Sequence, residues 1–506
     1  MHQTGLAYHV YPSARHSRFE HSLGAATIAS RVFDAVLHKQ RGDIRDIARA
    51  IGSKKPDIEI LRFKQELRLA ALLHDTGHSL FSHTSERVFE GLKPLVNASK
   101  ELSRFVGKQK GAGEVLSFCL TLTPAVSQLL DRAGKNLIGD RAFFDDYNGP
   151  IDLNNVALII VGRSGHPFLQ FLGDIVSSGF DADKLDYLLR DATAAGLPLK
   201  YDIDRYLYDV RLVKEFLADG DDELKKLYSR LGHKITRLPA THKFRYPNFE
   251  TYRLRLSRRA MNVIEQIVIC KMMLFSYIYH HGKVRASEGL LERLLRRNLK
   301  IWKANKETAA RIMIRFLEMT DSSLPGLGET KTSDRILSNY TYRLVNRFLP
   351  REVYSISGPS ASHASRVIIQ EFLLKLHDKK LRESLISDLE RAIGVELIKS
   401  RPELGTSVSE ALAQAGVWVD APTPPKFEDI DTLVGGSKST DAGVAVAQIF
   451  PIRQWTEAYE HYRYQVRIFS FSEYWASTRD AAKTAMKSVL KISGDEFYDN
   501  IRRGRS

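Results

Sequence analysis

Apolar positions recur at helical spacing through most of the chain. After a loop at Pro12 and Ser13, Arg18 and His21 fall three apart, on one face of a predicted helix running through Ala25, Ile28 and Val32. Residues 40–66 are charged and predict a surface crossing. Residues 69–73 then form an apolar helical run that ends in the adjacent ionisable pair His74 and Asp75, with His78 on the same predicted face and His83 within reach. On a helical wheel, Asp183, Lys184, Asp186, Tyr187, Arg190 and Asp191 share one side, while Leu185, Leu188, Leu189 and Ala192 occupy the other.

Helical spacing with glycine interruptions covers residues 84–178, where the run 156–161 is either a strand or a buried helix turn. It returns in residues 263–281, 290–317 and 340–348. From about residue 360 the texture changes: a helix over 366–376, the run 417–419, a proline-rich turn at 422–425, two β-rich runs at 444–449 and 464–471, and a helix over 481–490. The pattern predicts a mainly α fold: a helical core (1–205), its helical continuation (206–355) and a smaller C-terminal α+β module (356–506).

Composition narrows the function classes. The 506 residues carry 43% hydrophobic and 27% charged side chains, as in ordinary globular proteins. A net charge of +15 favours polyanionic ligands such as nucleotides or nucleic acid. The start of the chain has no basic region followed by an apolar core, and no uninterrupted apolar run approaches bilayer length, so no membrane association is expected. Cys119 and Cys270 form no Cys-x-x-Cys pair, which argues against disulfides and thiolate zinc sites and fits a reducing cytoplasm.

The pair His74-Asp75 is the chemical focus. Burying an imidazole and a carboxylate unpaired is costly, and a divalent metal removes that cost because both groups are good ligands. The chain supplies a control in His377-Asp378, whose lysine-rich surroundings predict a solvated helix face. Only the first pair has two further segments, around His21 and Asp183, able to complete a two-histidine, two-carboxylate set.

Three blocks carry a resemblance: Tyr-Pro-x-Ala-x-His-x-Arg-Phe-Glu-His-Ser-Leu-Gly, His-Asp-x-Gly-His-x-x-Phe-Ser-His and Asp-x-Asp-Lys-x-Asp-Tyr-x-x-Arg-Asp. The order of His, His-Asp and a distant Asp resembles the HD phosphohydrolase superfamily. The blocks together are similar to its deoxynucleoside triphosphate (dNTP) triphosphohydrolases, both bacterial and of the sterile-alpha-motif type. The close match covers residues 3–30, 66–90 and 177–195, and weaker similarity runs to about 355.

The resemblance implies that His21, His74, Asp75 and Asp183 hold a divalent ion: manganese, iron, magnesium, cobalt or zinc. It implies hydrolysis at the α-phosphorus to deoxynucleoside and tripolyphosphate, with His83 as general acid, His78 in support and Glu86 orienting a histidine. Arg18 and Lys184 match phosphate-binding positions. Tyr187 and Asp191 match residues against the sugar, Gln3 a sugar-binding glutamine, and Tyr279 the helix that closes the nucleotide pocket. Lys271 stands where relatives carry an arginine. Two departures stand out. Gly113 occupies the position of a downstream catalytic histidine, implying an altered acid relay, and Gln3 lies so near the start that the helix preceding it in relatives has no counterpart. Homo-oligomers are the family's habit.

Between residues 230 and 259, nine basic residues interleave with Phe244, Tyr246, Phe249 and Tyr252, a pattern suited to single-stranded nucleic acid, although such a pattern is more often a solvated loop with a few packed rings. Two alternatives to dNTP hydrolysis follow: a phosphodiesterase acting on single-stranded nucleic acid or cyclic nucleotides, and a catalytically silent sensor or scaffold. Residues 435–440 superficially resemble a phosphate loop but lack its spaced glycines and read as an ordinary loop.

Overall fold

The computed structural model describes residues 1–107, 109–136, 151–216, 250–328, 334–357, 366–423, 433–435 and 444–490. The fold is mainly α-helical. Helix α1 (Arg18–Lys39) begins at Ser17, whose hydroxyl accepts from the Glu20 N–H while the Glu20 carboxylate accepts from the Ser17 N–H. Its stripe of Ala25, Ala29, Val32, Phe33 and Val36 is buried. Residues 40–66 do not cross the surface as an open chain. Buried Ile44, Ile47 and Ala48 make α2 (Arg41–Ala50) amphipathic, and Pro56 opens α3 (Pro56–Leu73), which buries Ile60, Phe63 and Leu67.

Helix α3 ends at Leu73, so His78 does not share a helical face with His74. The Thr76 hydroxyl donates to the Leu73 carbonyl, and a turn carries the chain into α4 (His83–Phe89). Helix α5 (Ala112–Thr121) packs against α6 (Leu153–Ile160), which settles the 156–161 run as helix, capped by Asp152. Helix α7 (Ala182–Ala194) lies along α1. Their approach requires Gly24, because a Cβ there would fall 2.0 Å from Asp186 Oδ1.

Glu66 is fully buried within α3. Burial raises its carboxyl to about 7, although the Arg62 guanidinium, the Asn155 amide and the Asp152 N–H favour the anion. A carboxyl with a higher folded than unfolded value binds more protons when folded, so its contribution to stability falls as pH rises from about 4.5 to about 7. Glu66→Gln is expected to remove that slope, leaving the variant more stable by about 3 kcal/mol above pH 7. Urea unfolding of both proteins from pH 4.5 to 8 measures it. Parallel curves would show that Glu66 is not the group responsible.

Strands β1 (Val210–Phe216) and β2 (Glu250–Leu256) pair antiparallel, and two-residue strands β5 (Leu433–Val434) and β6 (Val444–Ala445) extend that sheet in the order β1-β2-β5-β6. Of the β-rich run 444–449, only the first two residues pair; the rest forms one helical turn. Helix α8 (Met261–Leu274) leads through a π-helical turn, Phe275–Tyr279, toward α9 (Gly282–Ala304). The stretch Arg258–Tyr279 is long and apolar enough to cross a membrane, but its Val263, Ile264, Ile267, Val268 and Leu274 are buried in the main core.

A second core gathers β3 (Arg351–Ile356), β4 (Trp418–Asp420) and β7 (Val466–Ser470), in the order β3-β7-β4, with Leu389, Ile393 and Leu397 of the helix Lys379–Ser400. Trp418 ties the two cores by packing on Gly289 of α9. The control pair is exposed, and Asp378 caps the helix Lys379–Ser400 by accepting from the Leu381 N–H.

Candidate metal centre and cleft

Four side chains from three helix ends converge. His21 Nε2 lies 3.1 Å from Asp183 Oδ1 and 3.7 Å from Asp75 Oδ2; His74 Nε2 lies 3.4 Å from Asp75 Oδ1 and 3.7 Å from Asp183 Oδ1. Both Nε2 atoms are buried without a hydrogen bond of proper geometry, whereas both Nδ1 atoms are anchored: His21 Nδ1 sits 2.8 Å from Asp186 Oδ2, and His74 Nδ1 2.7 Å from the Ala71 carbonyl oxygen. Anchored Nδ1 atoms and unsatisfied Nε2 atoms facing two carboxylates are what a divalent cation requires, so the donor set fits.

The electrostatics agree. Burial opposes charge on His21, but the neighbouring carboxylates of Asp183, Asp186 and Asp75 push it up to about 10. Burial likewise opposes the Asp75 carboxylate, and Arg18, His74 and His78 still hold it well below its ordinary range. Asp186 also binds the Arg190 guanidinium, at 2.7 and 2.9 Å. Sequence reasoning placed Asp186 on the polar face without a role. Asp186→Asn is expected to weaken metal binding about 10–100-fold by releasing the His21 ring. Competition against a chelator measures this, and unchanged affinity would mean that the ring is held by packing alone.

Beside the ligands, Glu86 bridges two imidazoles: it pairs with His78 Nδ1 and lies 3.1 Å from His83 Nδ1. His78 Nε2 in turn lies 3.2 Å from Asp75 Oδ1. Burial opposes charge on His78, as does Arg18, but Glu86 and Asp75 raise it to about 9. Just before His83, Phe81 and Ser82 adopt positive φ values of 50° and 58°. That strained backbone is held by the Asp321 carboxylate, 2.9 Å from the Phe81 N–H. A Cβ at Gly113 would lie 2.7 to 2.9 Å from three atoms of the His78 ring, so the missing downstream histidine is matched by the imidazole packed over that position.

These groups line a cleft of about 650 Å³ that also contains Gln3, Arg18, Lys184, Tyr187, Asp191 and Tyr279. Arg18 reaches Asp75 and donates to Ser82 Oγ at 3.1 Å. Asp191 is buried between His16 Nε2 at 2.7 Å and the Tyr279 hydroxyl at 2.5 Å. His16 was missed, although it lies inside the first sequence block. The π turn, which adds a residue to the helical repeat, delivers Tyr279. Lys271 is the exception: buried on α8, it is not part of the lining. Of the basic aromatic stretch, residues 230–249 lie outside the described residues. Arg253 and Arg255 on β2 pair with Asp174 and Glu215. Of the loop 435–440, only Gly435 is described.

Residues 18–121 match the family described as HD domain. That segment carries the buried helix α1, the His74-Asp75 pair and the Glu86-linked histidines described above. The chain is 25% identical over 346 residues to an uncharacterized protein of Methanocaldococcus jannaschii, covering 67% of this chain and 53% of that one. To the human deoxynucleoside triphosphate triphosphohydrolase SAMHD1 it is 29% identical over 231 residues, 44% of this chain and 32% of that protein. The matches therefore span about a third to a half of the length of these curated relatives. The fold is similar to that of a phosphohydrolase from Bacteroides thetaiotaomicron, with a TM-score of 0.52 and 17% identity over 93% of this chain and 92% of the other.

Proposed function

We propose that this chain hydrolyses dNTPs to deoxynucleoside and inorganic tripolyphosphate, using a divalent ion held by His21, His74, Asp75 and Asp183. The observation that carries this reading is the pair of buried, unsatisfied imidazole nitrogens facing two carboxylates, with Arg18, Lys184 and the Glu86-linked histidines around them in one cleft. The ion, when bound, polarises a phosphoryl oxygen and acidifies water; manganese, iron, magnesium, cobalt and zinc all suit imidazole and carboxylate donors.

The chain's own groups supply the rest. Arg18 and Lys184 neutralise phosphate oxygens. Water adds its oxygen to the α-phosphorus, the bond from phosphorus to the 5′-oxygen breaks, and the departing oxygen takes a proton from His83, whose Nδ1 is held by Glu86. Asp191, held by His16 and Tyr279, faces the cleft as an acceptor for the 3′-hydroxyl, and Tyr187 crowds the 2′ position. The test is ion-pair chromatography of products from four dNTPs and four NTPs with each metal in turn. Deoxynucleoside plus tripolyphosphate supports the reading; no turnover, or diphosphate and monophosphate products, would refute it.

A further inference from the structure

The family-like cations Arg18 and Lys184 are not alone on the cleft wall. Lys110, in the segment that leads into α5, also lines it. Its side chain is only 3% exposed, which is uncommon for lysine, a residue that sequence reasoning passed over because it matches no motif position. The Lys110 Nζ lies 2.8 Å from Glu114 Oε1 and 3.3 Å from Ser177 Oγ. On the next residue of the same turn, the Ser178 carbonyl oxygen holds Lys184 Nζ at 2.6 Å. One turn therefore gathers two ammonium groups on one side of the cleft. The Lys110 backbone is pinned as well: its N–H donates to Ser103 Oγ at 3.3 Å, and its carbonyl accepts from Ser99 Oγ at 3.2 Å.

We propose that Lys110 is a polyphosphate-binding residue of this chain, adding its positive charge to those of Arg18 and Lys184 at the outer phosphates. The inference rests on the triphosphohydrolase reading. Three features support it. Gly113 offers no side chain to a phosphate, and the His78 ring covers that position, so the nearest positive charge in this segment is Lys110. Lys271 is not in the lining, and the other guanidiniums there, Arg87 and Arg285, are engaged by Glu288, Glu292 and Asp420, so they do not duplicate Lys110. The carboxylate now paired with Lys110 belongs to Glu114, whose side chain is 39% exposed and can turn to solvent, exchanging one weak partner for a multiply charged one.

The experiment compares Lys110→Met, Lys110→Arg and Glu114→Gln with the wild type, measuring KM and kcat for the best dNTP, calorimetric affinity for inorganic tripolyphosphate, and thermal midpoint. Lys110→Met is expected to raise KM and weaken tripolyphosphate about tenfold or more, with deoxynucleoside affinity unchanged and Lys110→Arg restoring most of the loss. Glu114→Gln, which frees the ammonium, is expected to tighten tripolyphosphate binding. Unchanged tripolyphosphate affinity in Lys110→Met with an intact midpoint overturns the proposal. If Lys110→Met does not fold, Glu114→Gln decides: a lowered midpoint with unaltered tripolyphosphate affinity makes the pair purely structural. Absence of dNTP turnover in the wild type defeats the parent reading, while the tripolyphosphate measurement still judges Lys110.

Discussion

Asp183→Ala is expected to lose the bound metal and to lower kcat on the order of 10³-fold or more. Asp183 is one of two carboxylates near both orphaned imidazole nitrogens, its Oδ1 lying 3.1 Å from His21 and 3.7 Å from His74. Without it, Asp75 must serve both histidines while also paired with Arg18 and close to His78. The chemistry at stake is large, because a catalytic divalent ion moves the pKa of water from ~15.7 toward ~7. Elemental analysis of purified protein reads the metal, and product formation reads the rate. A variant that keeps its full complement of metal and its turnover would remove Asp183 from the ligand set. Because Asp183 lies at the start of α7, where its side chain is 36% exposed, circular dichroism should show an intact fold.

The second large effect concerns the proton. His83→Ala is expected to reduce kcat by roughly 10² to 10⁴-fold with little change in metal content. The His83 side chain is 77% exposed at the cleft and tethered through Nδ1 to Glu86, which leaves Nε2 free toward a departing oxygen. The discriminating substrate carries sulfur in place of the 5′-bridging oxygen, since a thiolate departs without a proton. If His83 is the acid, the defect should shrink sharply with this substrate. An equal defect with both substrates would assign His83 to binding. His78→Ala makes the parallel case: it is buried between Glu86 and Asp75, and a defect insensitive to the leaving group would mark it as a positioning residue.

Much of this was legible without coordinates. The candidate ligand set sits on three short blocks whose local chemistry is self-declaring, since a His-Asp pair after an apolar run must find a partner to be buried. The helical character followed from apolar spacing, which depends only on the 3.6-residue repeat. The charged residues 40–66 concealed two amphipathic helices because their apolar stripes are narrow and are recognised only when packed. The run 156–161 was undecidable because a short apolar segment buries equally well as strand or helix, and its neighbour α5 settled the choice.

By itself, then, the sequence determined the mainly α class, the four metal-ligand candidates and the glycine at 113, because each is written in local pattern or in residue identity. Tertiary structure alone decided which groups support them. Asp186 was brought under His21 by the close crossing of α1 and α7 that Gly24 permits. His16 met Asp191, and Lys110 met Ser177, across 175 and 67 residues of chain. Lys271 was buried on α8 outside the cleft lining. The physical reason is that a ligand's identity is a property of one residue, whereas its orientation and its competition for partners are properties of distances between residues that no local pattern encodes.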